Sequence, residues 1–315
     1  MNRGIILICF SLVIAVCMML PVHAQSSRQQ LNTIIVDPGH GFPDPGAEGK
    51  YSCEANIVLA IAKKLVKKIQ DSLPGIKVLI TRSDQNLPGG LHDKDLANRW
   101  RAKFANENHG DLFVCIHAND APPDHHSRIV DYRTRVYYTG KGKSRKRHVR
   151  KTPIYHRWTT PSSAEGTETY VWAVNKNDDK QQFIQRNQDS AELYGEEKDS
   201  TLPDMTTEEK IMASIRTRKY FSRSLLLANL IQDGYKQQGR KIHAYVGNGV
   251  KQRNDKGIWV LQATAMPSIL SEVGFISNPH EEDYMNSQSG QEQIASALFQ
   301  AIVAYKNQVD KGLIH

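Results

Sequence analysis

Between residues 31 and 117, apolar runs alternate with helical stripes, and that order leaves few folds open. Leu31 to Val36 is a β-branched run that stops at Asp37-Pro38-Gly39, as a buried strand followed by a turn does. A Gly-rich loop leads to Ser52. Beyond it Ile57, Val58, Ile61, Leu65 and Ile69 recur at three- and four-residue spacing beside Lys63, Lys64, Lys67 and Lys68, the pattern of a helix with one buried face. Ser52 is the expected N-cap and Pro74-Gly75 the stop. Ile76 to Thr81 reads as a second strand, Leu96 to Ala105 as a second helix and Asp111 to His117 as a third strand. Strand, helix, strand, helix, strand predicts right-handed crossovers. The fold class is α/β: a single domain with a mostly parallel twisted sheet and helices on both faces.

The pattern breaks from about residue 121 to 204, which contains Pro122-Pro123, a basic cluster from Lys141 to Lys151 and a polar helix over roughly Lys180 to Glu196. So long an interruption predicts an insertion ahead of the C-terminal helices and strands. Thr206 and Glu209 have the spacing of a capping box. Ile211, Ile215, Phe221, Leu225, Ala228, Ile231 and Tyr235 then form a helical stripe. Ile258 to Leu261 and Ser268 to Ser271 are expected strands. Ser289 with Glu292 is the expected cap of a last helix carrying Ile294, Leu298, Ala301, Ile302 and Tyr305. The domain is thus expected over 25–310, with a tail at 311–315.

Residues 1–24 stand apart: Arg3, an apolar run from Ile5 to Leu20, then Val22-His23-Ala24. That is the layout of a secretory signal peptide with cleavage after Ala24, and the run is short for a membrane-spanning helix. The expectation is export to the periplasm or cell envelope with no integral membrane anchor. Removing the signal leaves Cys53 and Cys115 of the four cysteines, so no disulfide framework holds the domain. A 315-residue chain with 39% hydrophobic residues can build its core without one. The net charge of +8 favours an acidic partner or surface without naming it. Export argues against nucleic acid as the target of the Lys141 to Lys151 cluster. Its plain reading is a solvated mobile loop, and its sharper one is attraction to anionic wall polymers or lipid.

Ligands of open parallel sheets bind beyond the carboxyl ends of the strands. His40 follows the first strand, His117 ends the third and Glu272 ends the Ser268 strand, while Glu54 joins them at the start of the first helix. Taken singly, His40 is a turn histidine, His117 a core histidine and Glu54 a carboxylate facing a helix dipole. Glu272 is odder, because a buried carboxylate without a partner is costly. Together, two imidazoles and a carboxylate at one sheet edge make a His2Glu set of the kind that binds catalytic zinc.

These residues sit in longer motifs: IIVDPGHGFPDPGAEG followed by Glu54, Thr81-Arg82-Ser83-Asp84, Leu96 with Ala97-Asn98-Arg99, DLFVCIHAND, Gly249 to Gln252, and MPSILSEVGFISNP. Over about Leu31 to Asp310 the chain resembles the zinc-dependent N-acetylmuramoyl-L-alanine amidases, whose catalytic domain is called Amidase_3. Phe42 stands where that family often has Gly, and Cys115 where Ser is usual. The resemblance implies Zn2+ held by His40, Glu54 and His117, with Glu272 as the catalytic carboxylate. It implies peptidoglycan as substrate and the amide between N-acetylmuramic acid and L-alanine as the bond cut, in cell separation or wall turnover.

Some members of that family carry an inserted helix that covers the metal until an activator displaces it. Gln182 to Leu193, following Thr169-Tyr170-Val171-Trp172, is similar to the first part of that region. Glu192 is then the candidate plug, and a protein activator acting on the insertion helix the implied partner. A surface helix with no such task is the other reading. Cys115 is expected to be a small core residue, and neither Cys53 nor Cys115 is assigned to the metal. Two other functions remain open from sequence: an exported zinc peptidase of similar site chemistry, and a non-catalytic wall-binding protein.

Overall fold

The computed structural model describes residues 30–186, 206–244 and 247–312. The segment read as a signal peptide, Glu192 and residues 313–315 lie outside these. Six strands form the main sheet: β1 (Thr33–Pro38), β2 (Lys77–Ile80), β3 (Leu112–Asn119), β6 (Glu168–Val171), β7 (Val250–Gln252) and β8 (Ser268–Phe275). Their order is β2-β1-β3-β8-β6-β7. Every neighbouring pair is parallel except β6 against β8.

Helices cover both faces. On one, Ile34, Val36, Val114, Ile116, Ile269 and Val273 meet the apolar stripes of α1 (Glu54–Ser72), α4 (Thr207–Gln237) and α7 (Gln288–Asp310). On the other, Ile35, Phe113, Cys115 and Leu270 pack against Ala105 of α2 (Lys94–Glu107) and against Val260 and Leu261 of α5 (Trp259–Ala263). Near-continuous apolar strands are what a sheet buried on both faces requires.

Thr206 caps α4 through the capping box its spacing predicts. Three expectations about local structure fail. Ser52 is not the cap of α1: its hydroxyl donates to Glu282 at 2.7 Å, and Cys53 takes the N-cap position without a side-chain bond. Ile258 to Leu261, apolar and β-branched enough for a strand, instead enters the short helix α5. The cap of the last helix lies two residues before Ser289, where the Ser287 hydroxyl accepts from Gly290 N–H.

The stretch 121–204 contains more than an excursion. It opens with a two-stranded antiparallel hairpin, β4 (Asp124–Thr139) and β5 (Lys146–Thr160). The basic cluster is therefore the tip and return strand of a paired ribbon rather than a loop. The chain then re-enters the main sheet as β6 before α3 (Asn177–Arg186). Lys180 ties α3 to α5: its buried Nζ donates to the carbonyls of Leu261 at 2.6 Å, Thr264 and Met266. With no carboxylate among these partners, burial drives its pKa well below that of a free lysine. Among the described residues no helix is long and apolar enough to cross a membrane.

Candidate metal centre and active-site cleft

The face of the sheet that carries Ile35, Phe113 and Leu270 changes character at the carboxyl ends of its strands. Two residues on, at the period of a strand, stand Asp37, Cys115 with His117 beyond it, and Glu272. His117 is the register partner of Glu272, and Glu272 that of Glu168. A single face thus turns from apolar core into a row of polar groups. Asp37, Cys115, His117 and Glu272 line a cleft of about 350 Å³ with His40, Glu54, Tyr170, Arg253 and Trp259.

Glu54 lies between the two histidines. Its Oε2 is 3.1 Å from His40 Nε2 and its Oε1 is 2.7 Å from His117 Nδ1. One donor atom each from His40, Glu54 and His117 falls within 4.8 Å of the others. The carboxylate also accepts from the N–H groups of Ala47 at 2.9 Å and Ala118 at 3.0 Å. Burial opposes ionisation of Glu54, but His117 and His40 outweigh it and hold its pKa well below the usual carboxylate range.

His40 comes from the tight loop after β1 and sits at φ 58°, a region uncommon for residues with a Cβ but more accessible to histidine than to most. Its Nδ1 is 2.8 Å from Asp44 Oδ2. A proton on Nδ1, shared with that carboxylate, leaves Nε2 free to bind a metal, the outer-layer bond that usually accompanies a metal-binding histidine. Glycine is needed where the loop crowds the site. A Cβ at Gly39 would lie 2.3 Å from His117 ring atoms, and one at Gly46 2.6 Å from Glu54 Oε2.

Two buried arginines hold this loop in place. Arg101 pairs with Asp37 and donates to the carbonyls of Pro38 at 2.9 Å and His40 at 2.5 Å. Arg82 donates to Pro38 O at 3.0 Å, Gly39 O at 2.7 Å and Ala55 O at 2.8 Å. Burial, with Arg101 nearby, pushes Arg82 down to about 10. Asp37 also accepts from Thr81 Oγ1 at 2.5 Å and Cys115 Sγ at 3.0 Å. Cys115 is therefore a core residue whose thiol is also part of this network. On the far side of the loop, Glu282 accepts from the N–H groups of Lys50, Tyr51 and Ser52, and so braces the entry to α1.

Glu272 faces the cleft from β8. Its Oε2 is buried and has no hydrogen-bond partner among the described residues. Burial, then the nearby carboxylates of Glu54 and Glu168, raise its pKa well above that of a free glutamate, with Arg253 opposing. A buried carboxyl oxygen without a partner, beside two imidazoles and a carboxylate, suits a divalent cation and a proton-exchanging water better than it suits an inert core.

The fold thus gathers His40, Glu54, His117 and Glu272 in one cleft. Sequence reasoning missed Asp44, Arg101 and Glu282. Asp44 stands inside the PGHGFPDPG motif, four residues after His40, and that spacing was its only available signal. Arg101 and Glu282 carry no such signal, because their partners lie 61 to 64 and 230 to 232 residues away.

The family model described as N-acetylmuramoyl-L-alanine amidase, Amidase_3, matches residues 34–304. The N-acetylmuramoyl-L-alanine amidase AmiC of Escherichia coli is 27% identical over 286 residues, covering 90% of this chain and 55% of that protein. The AmiC of Neisseria meningitidis serogroup B is 27% identical over 284 residues, covering 87% and 52%. This chain therefore spans about half the length of these two relatives. The crystal structure of N-acetylmuramoyl-L-alanine amidase from Clostridium difficile 630 has the same fold, with a TM-score of 0.52 at 22% identity over 88% of this chain and 98% of that one. With the motifs, the sheet and the cleft in agreement with a match this long, the chain belongs to the N-acetylmuramoyl-L-alanine amidase family Amidase_3.

Proposed function

We propose that the protein is an exported, zinc-dependent N-acetylmuramoyl-L-alanine amidase that hydrolyses the amide between N-acetylmuramic acid and L-alanine in peptidoglycan. One observation carries this reading: Glu54 bridges His40 and His117 in a cleft that also holds the partnerless carboxyl oxygen of Glu272.

Two nitrogens and a carboxylate oxygen are the donor set of catalytic zinc sites that keep a position for water or substrate. His40, Glu54 and His117 would hold the ion, with Asp44 fixing the His40 ring. Zinc supplies a Lewis acid that polarises the scissile carbonyl and makes a water more acidic. Glu272 takes the proton from the attacking water and delivers it to the departing alanine nitrogen, which leaves poorly unless protonated. Burial and the neighbouring carboxylates make Glu272 hold a proton more tightly than a free glutamate does, which suits a carboxyl that must accept a proton and return it. Arg101 and Arg82 act through the loop, fixing the backbone on which His40 rides.

An activator protein working through the insertion helix is part of this reading. Phe183 of α3 meets the ring of Trp259 at 5.9 Å between centroids, and Trp259 lines the cleft. Movement of α3 would therefore reach the cleft wall. Export rests on the signal-like residues 1–24. Mass spectrometry of peptidoglycan digested by the purified zinc-loaded protein tests the substrate: free stem peptides beginning with L-alanine and intact glycan strands are expected. Cuts within the glycan or inside the peptide would overturn the assignment.

A further inference from the structure

The β4–β5 hairpin is exposed on both faces over strands of 16 and 15 residues, about 50 Å of ribbon. Its two strands pack chiefly on each other, and among the described residues no other element makes an extensive contact with them. Between Asp124 and Thr160 there are eleven Arg and Lys against two Asp. The ribbon therefore carries +9, more than the whole chain's +8. Among the described residues none of these cations is ion-paired.

The pairing register divides the ribbon into unlike faces. Residues opposite each other share a face and successive pairs alternate. Tyr132 with Pro153, Val136 with Val149, and Tyr138 with Arg147 are on one face. The register shift between Ile129 and Asp131 returns Ile129 with Tyr155 to that same face. A stripe of Ile129, Tyr155, Tyr132, Val136, Val149 and Tyr138 results, each between 42% and 51% exposed. Its flanks are cationic: the Arg145 guanidinium lies 4.1 Å from the Tyr138 ring centroid and that of Arg157 lies 5.6 Å from Tyr155. The opposite face carries Arg128, Arg133, Arg135 and Arg150 with three exposed apolar side chains, Tyr137, Ile154 and Trp158, against six in the stripe, and Arg147, Lys151 and Arg157 lie beside the stripe itself.

We propose that this striped face is a docking surface for an anionic phospholipid bilayer. Tyrosine belongs at the headgroup boundary. Long cationic side chains cover apolar surface while their charges stay with lipid phosphates. The exposed aliphatic residues decide between partners: a hydrated polyanion offers them nothing, whereas the acyl boundary takes them out of water. A second copy of the ribbon is opposed by its own +9.

The test is co-sedimentation of the purified chain with vesicles of phosphatidylglycerol in phosphatidylethanolamine, and with neutral phosphatidylcholine, across salt. Binding to the anionic vesicles alone, weakening as salt rises, is expected. The triple variant Tyr132→Ser, Val136→Ser, Tyr138→Ser should bind at least tenfold more weakly. Arg147→Gln and Lys151→Gln should each cost about fivefold. Arg133→Gln and Arg135→Gln, on the far face, should cost less, because lipid charge is screened within about 10 Å. Circular dichroism and the thermal midpoint report folding independently of hydrolysis, so loss of amidase activity leaves this test intact. The proposal is overturned by no binding to anionic vesicles, by a serine variant that binds like the parent, by equal losses from the two faces, or by binding to purified sacculi without binding to vesicles.

Discussion

Glu272 stands directly across the β3–β8 ladder from His117, so the two side chains leave the sheet on the same face. Strand pairing, rather than a flexible loop, sets the spacing between a proposed metal ligand and the proposed proton carrier.

Glu272→Gln keeps the shape of the side chain and removes its ability to take a proton. Turnover should fall by about 10²- to 10⁴-fold while bound zinc stays near one per chain. Elemental analysis alongside a peptidoglycan-fragment assay checks both. Turnover at the parent rate would show that the role belongs to another group.

Asp44 touches the outer nitrogen of His40 and none of the donor atoms. Asp44→Ala should weaken zinc binding by about 10- to 100-fold, read by competition with a chromophoric chelator. Unchanged affinity would mean that the arginine-held backbone orients the ring unaided.

A Cβ on Gly39 has to displace the His117 ring, which would lie 2.3 Å away. Gly39→Ala should therefore lose zinc and hydrolysis together while keeping its far-UV circular dichroism. A variant with normal metal content would show that the ring has somewhere else to go.

Asp37 is buried against Arg101. Burial raises its pKa, but Arg101, Thr81 and Cys115 together bring it below the ordinary carboxylate value. The folded state then binds the proton less tightly than the unfolded chain, so the stabilisation is complete above the unfolded value of 3.8. It is lost as pH falls below that value through the lowered folded one. Asp37→Asn should cost about 3–5 kcal/mol at neutral pH by leaving Arg101 buried without its counter-charge. Its stability should also vary less with pH at the acid end. Denaturant titrations of both proteins from pH 7 to pH 2 measure each effect.

Deleting residues 187–203 removes Glu192, the candidate plug of the sequence reading, and spares α3 with its Lys180 anchor. Basal hydrolysis should rise several-fold without an activator. An equal or lower rate in a folded deletion variant would leave the segment without an inhibitory role.

Much of this was legible in the chain because it depends on local order. Apolar runs closed by Pro-Gly, helical stripes and the Thr206 capping box are short-range patterns, and the fold class follows from their succession. The four cleft residues were legible because each falls at or near the expected end of such an element, although β8 runs on past Glu272 to Phe275. Sequence failed where a distant partner overrides local preference: Glu282 takes the Ser52 hydroxyl from its expected cap, and Ile258 to Leu261 turn helical against the β2-distal half of the sheet's apolar face. The hairpin escaped notice because its alternation is broken: the register shifts between Ile129 and Asp131, Thr134, Arg147 and Lys151 interrupt the apolar face, and Tyr137, Ile154 and Trp158 lie on the other. The sequence by itself therefore determined the kind of sheet and the chemical groups at its edge. Tertiary structure alone decided that Glu54 would bridge two histidines, that two arginines would clamp the His40 loop, and that β4 and β5 would pair into a +9 ribbon. Each of these is a contact or a register between residues far apart in the chain, and no local periodicity encodes it.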